Sequence, residues 1–184
     1  MNRLASPAQL RASLLRWALF LVPTVMLLGF LSGQVSGSGA DDPWFAALTK
    51  PAIYPPPITF GIVWSILYAV MGFALALVCS AWGARWRPWA VLAFLVQLVL
   101  NLAWSPVFFA KHDIMLALVL LVAIDIAVIV TAYLFWKVRR SAAWLMLPYL
   151  GWVLFATVLN WQFLELNPDA RAFESNNAVQ RVVL

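Results

Sequence analysis

Five stretches of the chain, 14–31, 59–81, 89–110, 114–136 and 144–164, are nearly unbroken runs of apolar side chains. A helix that crosses a bilayer needs about 20 such residues, and inside hydrocarbon it must satisfy every backbone polar group itself. Each stretch approaches or meets that length, and short basic segments separate them: Arg85 and Arg87, then Lys111, His112 and Asp113, then Lys137, Arg139 and Arg140. Of the 184 residues, 65% are hydrophobic and 10% charged. A soluble domain of this size leaves too much of its chain facing water to hide that much apolar surface. The expectation is an all-α integral membrane protein, a single five-helix transmembrane domain over residues 1–164.

The net charge of +5 does not point to nucleic acid, because the basic residues sit at span ends and form no continuous basic face. Arg3, Arg11, Arg16, Arg85, Arg87, Lys137, Arg139 and Arg140 fall on one side of the membrane, and Lys50, Lys111, Arg171 and Arg181 on the other. In an energised bacterial inner membrane that asymmetry places the N-terminus in the cytoplasm, while an outer-membrane location stays open. The first apolar run has a signal-peptide reading, with arginines before it and "SGSGA" after it. It is longer than a usual signal core and contains Pro23, so a retained span is expected. Cys79 is the only cysteine, so no intrachain disulfide can form, and with His112 the only histidine a metal site would have to be built almost entirely from carboxylates, which are scattered. A haem with histidine ligation is not expected, because His112 lies in a short loop. No metal and no cofactor are expected.

Connections between later spans are short, so consecutive helices are antiparallel neighbours. Only 32–58 is long, opening with "SGQVSGSGADD" and turning aromatic in "PWFAALTKPAIYPPP". Trp44, Phe45, Ile53 and Tyr54 call for burial, which makes this segment a lid over the helix bundle. Pro55, Pro56 and Pro57 fix φ and hold the preceding residues extended. The last of them suits the first turn of the next helix, where its missing N–H is no loss. The tail 165–184 is polar and mixed in charge, expected to form one weak amphipathic turn or none, and receives no function.

Polar groups at membrane depth are costly and face protein. Gln97, Asn101, Trp104 and Phe108 share one stripe of the third span; Trp152, Ala156 and Asn160 share one on the fifth; Trp64, Tyr68 and Met71 one on the second. If the stripes converge they make an aromatic pocket with a few amides. Trp17, Trp82, Trp86, Trp89, Trp136 and Trp144 fit an interfacial belt instead. Gln97 and Asn160 read first as interhelical glue, worth about 0.6–2 kcal/mol each. For Asp125, alone in mid-span, ligand contact, proton transfer and glue stay open. Gly72, Ala76 and Ser80 form a close-approach face, for the bundle or for a dimer seam.

Three spaced motifs resemble the TspO/MBR family of tryptophan-rich sensory proteins, which includes translocator proteins. Trp44, Phe45, Leu48, Lys50, Pro51, Pro55 and Pro56 match its W-[YF]-x-x-L-x-K-P-x-x-x-P-P loop, and Gly61, Val63, Trp64, Leu67, Tyr68, Met71 and Gly72 continue it. "NLAWSPVFF" and "PYLGWVLFATVLN" supply the other two. The resemblance implies five helices around a pocket closed by the first loop, usually in a homodimer. It also implies binding of porphyrins such as protoporphyrin IX, and of synthetic isoquinoline-type ligands in animals. It carries Trp44, Phe45, Trp64, Tyr68, Asn101, Trp104, Asp125, Trp152 and Ala156 over as pocket residues. Lys50, Pro51, Pro55, Pro56, Gln97 and Asn160 complete the candidate set, with Lys50 or arginines near the mouth available to ligand carboxylates. Ile53 stands where many members have tryptophan, and Trp161 is followed by Gln162 rather than a basic residue, which argues against cholesterol. Relatives implicated in light- and oxygen-dependent porphyrin breakdown keep an enzymatic alternative open, although no catalytic triad or carboxylate pair supports ordinary catalysis. A structural membrane partner is the third reading.

Overall fold

The computed structural model describes residues 6–40 and 42–170. Its long helices are α1 (Pro7–Val35), α3 (Pro57–Cys79), α4 (Arg87–Ser105), α5 (Ile114–Val138) and α6 (Arg140–Leu166), with a five-residue α2 (Pro43–Ala47) between α1 and α3. A π-helical turn, Pro106–Ala110, prolongs α4. All five long elements, counting that turn with α4, are long and apolar enough to cross a membrane. The spans run a few residues beyond the apolar blocks at most ends, because caps and not hydropathy stop a helix. Ser6 begins α1 with a reciprocal cap, its hydroxyl accepting from the Gln9 N–H while the Gln9 Oε1 accepts from the Ser6 N–H.

Glycine lets α1 and α3 approach closely. A Cβ on Gly72 would stand 2.7 Å from Val22 Cα, and one on Gly29 would collide with the Tyr68 ring. The pairs Val22–Gly72 and Gly29–Tyr68 run in opposite numerical directions, so α1 and α3 are antiparallel. Ala76 and Ser80 are buried in the same bundle. The small-residue face therefore serves packing within the chain, and the dimer-seam reading of that face is not supported.

Proline placement links two elements. Pro106 has no N–H to give the Leu102 carbonyl one turn back. Ser32 Oγ of α1 donates to that freed carbonyl at 2.7 Å, tying the end of α1 to α4. A local π turn, one of the adjustments by which a span accommodates proline, follows and buries Val107 and Phe108.

The 32–58 segment does fold over the helices, as a lid. α1 continues to Val35, Gly37 turns the chain at φ +64°, and Asp42 caps α2 by accepting from the Phe45 N–H at 2.7 Å. Pro56 is the N-cap of α3 and Pro57 its first residue, as the triple proline predicts. Trp44, Phe45 and Leu48 are buried, whereas Ile53, expected to be covered, is 42% exposed. The first residues of the expected tail are also different from expectation. Glu165 and Leu166 finish α6, and Asn167 and Ala170 are buried against the lid. Residues 171–184 lie outside the described residues.

Buried side chains form two clusters. One surrounds Met71, Phe94, Phe135, Met146 and Tyr149; the other lies beneath the lid, around Trp44, Phe45, Phe108, Ile114 and Phe163. Trp82, Trp86, Trp89, Trp136 and Trp144 are exposed, with the Arg87 and Arg140 guanidinium groups lying over Trp82 and Trp136. That arrangement fits an interfacial belt. Trp17 differs, packing partly buried on the first cluster.

Candidate ligand site

Between the two clusters lies a cavity of about 740 Å³, within the usual range for small-molecule sites of about 300–1,000 Å³. Its walls are aromatic. Trp64 stacks on Tyr68 with ring centroids 5.2 Å apart, and Trp104 on Phe108 at 5.1 Å. Trp152 meets Phe60 edge-on at 5.8 Å and Phe155 at 5.3 Å. Phe45 covers the lid end, contacting Tyr54, Phe108, Phe109 and Phe163 at 5.4–6.1 Å. Each such pair adds about 0.5–1.5 kcal/mol beyond burial.

One wall carries an ordered polar chain. Tyr68 donates its hydroxyl proton to Asn101 Oδ1 at 2.8 Å, Asn101 Nδ2 donates to the Tyr149 hydroxyl at 3.0 Å, and Tyr149 donates to Gln97 Oε1 at 3.0 Å. Tyr68 and Asn101 reach the cavity, while Tyr149 and Gln97 are fully buried behind them. Gln97 is thus glue between α4 and α6, as the sequence suggested. Asn160 does both jobs: its Nδ2 donates to the Ile114 carbonyl at 2.9 Å, yet it lines the cavity with Oδ1 unpartnered. The indole N–H groups of Trp104 and Trp152 are likewise buried without a partner.

Eight of the fifteen expected residues line the cavity: Phe45, Trp64, Tyr68, Asn101, Trp104, Trp152, Ala156 and Asn160. Seven do not. Asp125 turns to α6, where its Oδ2 accepts from Thr157 Oγ1 at 2.8 Å, leaving Oδ1 unpartnered. Of its three readings the geometry favours glue. Lys50 is spent on the lid itself. Its ammonium donates to the carbonyls of Phe45, Ala46 and Leu48 and sits 4.5 Å above the Phe45 ring. Burial lowers its pKa from the ordinary lysine value, and its three donors are directed at α2 and its C-cap residue Leu48, not at a ligand. Trp44 stacks on His112 at 4.3 Å and donates Nε1 to the Ala170 carbonyl at 3.4 Å. Pro51, Pro55 and Pro56 shape the lid without reaching the cavity, and Gln97 stays behind its wall.

Sequence reasoning missed several lining residues. Phe60 precedes Trp64 by one helical turn and Phe163 follows Asn160 by three residues, so extending each stripe finds them. Tyr149 stood in the third motif, but its role needs the partners on α4. The contribution of α1, through Met26, Gly29 and Phe30, had no local signal, since that helix carries no polar stripe.

A multi-pass membrane protein with an aromatic, lid-covered cavity inside its helix bundle is the class that these features define. The chain matches the model of the TspO/MBR family over residues 20–166, and it belongs to that family. It is 40% identical to the tryptophan-rich protein TspO of Chlorobaculum tepidum over 126 residues, covering 68% of this chain and 80% of that one. It is 37% identical to the human translocator protein over 136 residues, 73% of this chain and 80% of the relative. With the tryptophan-rich sensory protein of Cereibacter sphaeroides it shares 34% identity over 164 residues, 85% and 98% of the two chains.

Proposed function

We propose that this protein is a membrane receptor for porphyrin-type tetrapyrroles, held in the cavity among Trp64, Trp104 and Trp152, with a transport or regulatory output. The carrying observation is the pairing of aromatic walls with two buried, unpartnered indole donors on α4 and α6. Flat apolar rings stack on indole faces. An unsatisfied buried donor costs about 1–3 kcal/mol, which a ligand carbonyl or carboxylate would relieve. The names of the relatives, translocator and sensory protein, support ligand handling in this direction. In this reading a small turn of the Trp104 and Trp152 rings brings their covered N–H groups to ligand carboxylates, since Lys50 is occupied by the carbonyls of Phe45, Ala46 and Leu48. Synthetic isoquinoline-type ligands suit the same walls. A homodimer, an N-terminus on the cytoplasmic side and a retained α1 complete the proposal. Titrating the detergent-solubilised protein with protoporphyrin IX is expected to quench tryptophan fluorescence saturably, and Trp152→Ala to weaken the effect. Unchanged quenching in both Trp152→Ala and Trp64→Ala would remove this site.

A further inference from the structure

The cavity is closed on most sides by specific contacts. At the lid end, Thr49 donates its N–H to Asn167 Oδ1 at 2.7 Å and accepts from Asn167 Nδ2 at 3.1 Å. Beneath it, Phe45 is only 5% exposed. Between α1 and α4 the wall is tied by the Ser32–Leu102 hydrogen bond, and between α3 and α6 by Phe60 against Trp152. Lining side chains from α4, the π turn, α5 and α6 are all buried or half-buried.

The exposed lining residues have a different origin. They come from α1 and the turn after it, and from the first turns of α3. Phe30, 63% exposed, and Gln34 border the cavity from α1; Gly61 and Ser65 border it from α3, also exposed. A Cβ on Gly61 would meet nothing within 4 Å. Further along the same seam, Gly29 under Tyr68 and Gly72 against Val22 bring the helices into contact. The seam is therefore tight at one end and slotted at the other, and both helices that frame it are membrane spans.

We propose that ligands pass between bilayer and cavity sideways, through the α1–α3 slot, while the lid stays latched. The inference rests on the cavity being a ligand site. It narrows the ligand class to molecules that dissolve in lipid: flat, apolar ring systems carrying a carbonyl or carboxylate at one edge. Such a route needs no unlatching of Asn167 and no passage of an apolar ring through water.

The test is the exchange kinetics of protoporphyrin IX, followed by tryptophan quenching in phosphatidylcholine nanodiscs. Gly61→Leu is expected to slow association and dissociation together, each by about fivefold or more, as a narrowed passage requires. Asn167→Leu, which loosens the latch, is expected to change either rate less than about twofold. Acceleration by Asn167→Leu with Gly61→Leu unchanged overturns the proposal. A second measurement does not depend on porphyrin affinity. In a Cys79→Ala background, a Ser105→Cys thiol inside the cavity is labelled by pyrene maleimide delivered in phosphatidylcholine vesicles. Slower labelling with Gly61→Leu supports the slot, and labelling that responds only to Asn167→Leu overturns it. If the unmodified protein binds no protoporphyrin IX, the tetrapyrrole reading fails, and the labelling still decides the route.

Discussion

Gly72 meets Val22 backbone to backbone: a Cβ added to the glycine would lie 2.7 Å from Val22 Cα and 3.0 Å from the Leu21 carbonyl oxygen. Backbone atoms cannot swing aside as a side-chain tip can, so any larger residue must push α1 off α3. Gly72→Val is expected to destabilise by about 1–3 kcal/mol, the usual cost of overpacking. Gly151 is the internal control, a helical position where an added Cβ meets nothing within 4 Å. Thermal unfolding in detergent should show a lowered midpoint for Gly72→Val and none for Gly151→Ala. Equal midpoints would mean that α1 is not seated on α3 in this way.

The lid depends on a contact remote in sequence. Asn167 pairs with both backbone polar groups of Thr49 and also donates to the Phe163 carbonyl at 2.9 Å. Asn167→Leu keeps the branched outline of the side chain and removes all three bonds, leaving the Thr49 groups to water or unpaired. The expected loss is about 1–3 kcal/mol, felt locally. Hydrogen exchange at Thr49 and Leu48 should speed up while the amides of α5 keep their protection. Unchanged exchange at Thr49 would count against the latch.

Two tyrosines in one polar chain should behave differently. Tyr149 is fully buried and serves both Asn101 and Gln97, so Tyr149→Phe strands an amide on each side. Tyr68→Phe removes a single donor, at the end that opens on the cavity. The first substitution is expected to cost about 1–3 kcal/mol and the second about half of that or less. A thermal series in which Tyr68→Phe is the more damaging would show that the chain is not ordered as described.

Indole donors can be separated from indole faces. Trp104→Phe and Trp152→Phe retain aromatic walls and remove the unpartnered N–H groups. For protoporphyrin IX the loss is expected to be about 1 kcal/mol per donor, roughly fivefold in Kd. An apolar aromatic lacking oxygen, such as pyrene, should bind both variants about as well as the parent. Equal losses for the two ligands would assign the tryptophans to stacking alone.

Much of this architecture follows from side chains taken in order along the chain. Spans are legible because hydrocarbon forces a run of apolar residues for every crossing. The triple proline marks the entry to α3 because its ring constrains φ whatever surrounds it. Stripes such as Trp64–Tyr68 and Trp152–Ala156–Asn160 are legible because helical periodicity is fixed by the backbone. Other assignments depended on which helix stands opposite. Lys50 looks like a ligand anchor until α2 forms and turns its carbonyls toward the ammonium. Asp125 looks like a pocket acid until Thr157 of α6 takes its oxygen. Leu102 appears unremarkable until Ser32 arrives at the carbonyl that Pro106 leaves free. Local chemistry determined that there would be five helices, a stiff entry to α3 and aromatic faces. Tertiary packing alone decided which polar groups were used up between helices and which were left facing the cavity, because a hydrogen bond across helices depends on separations that no stretch of sequence contains.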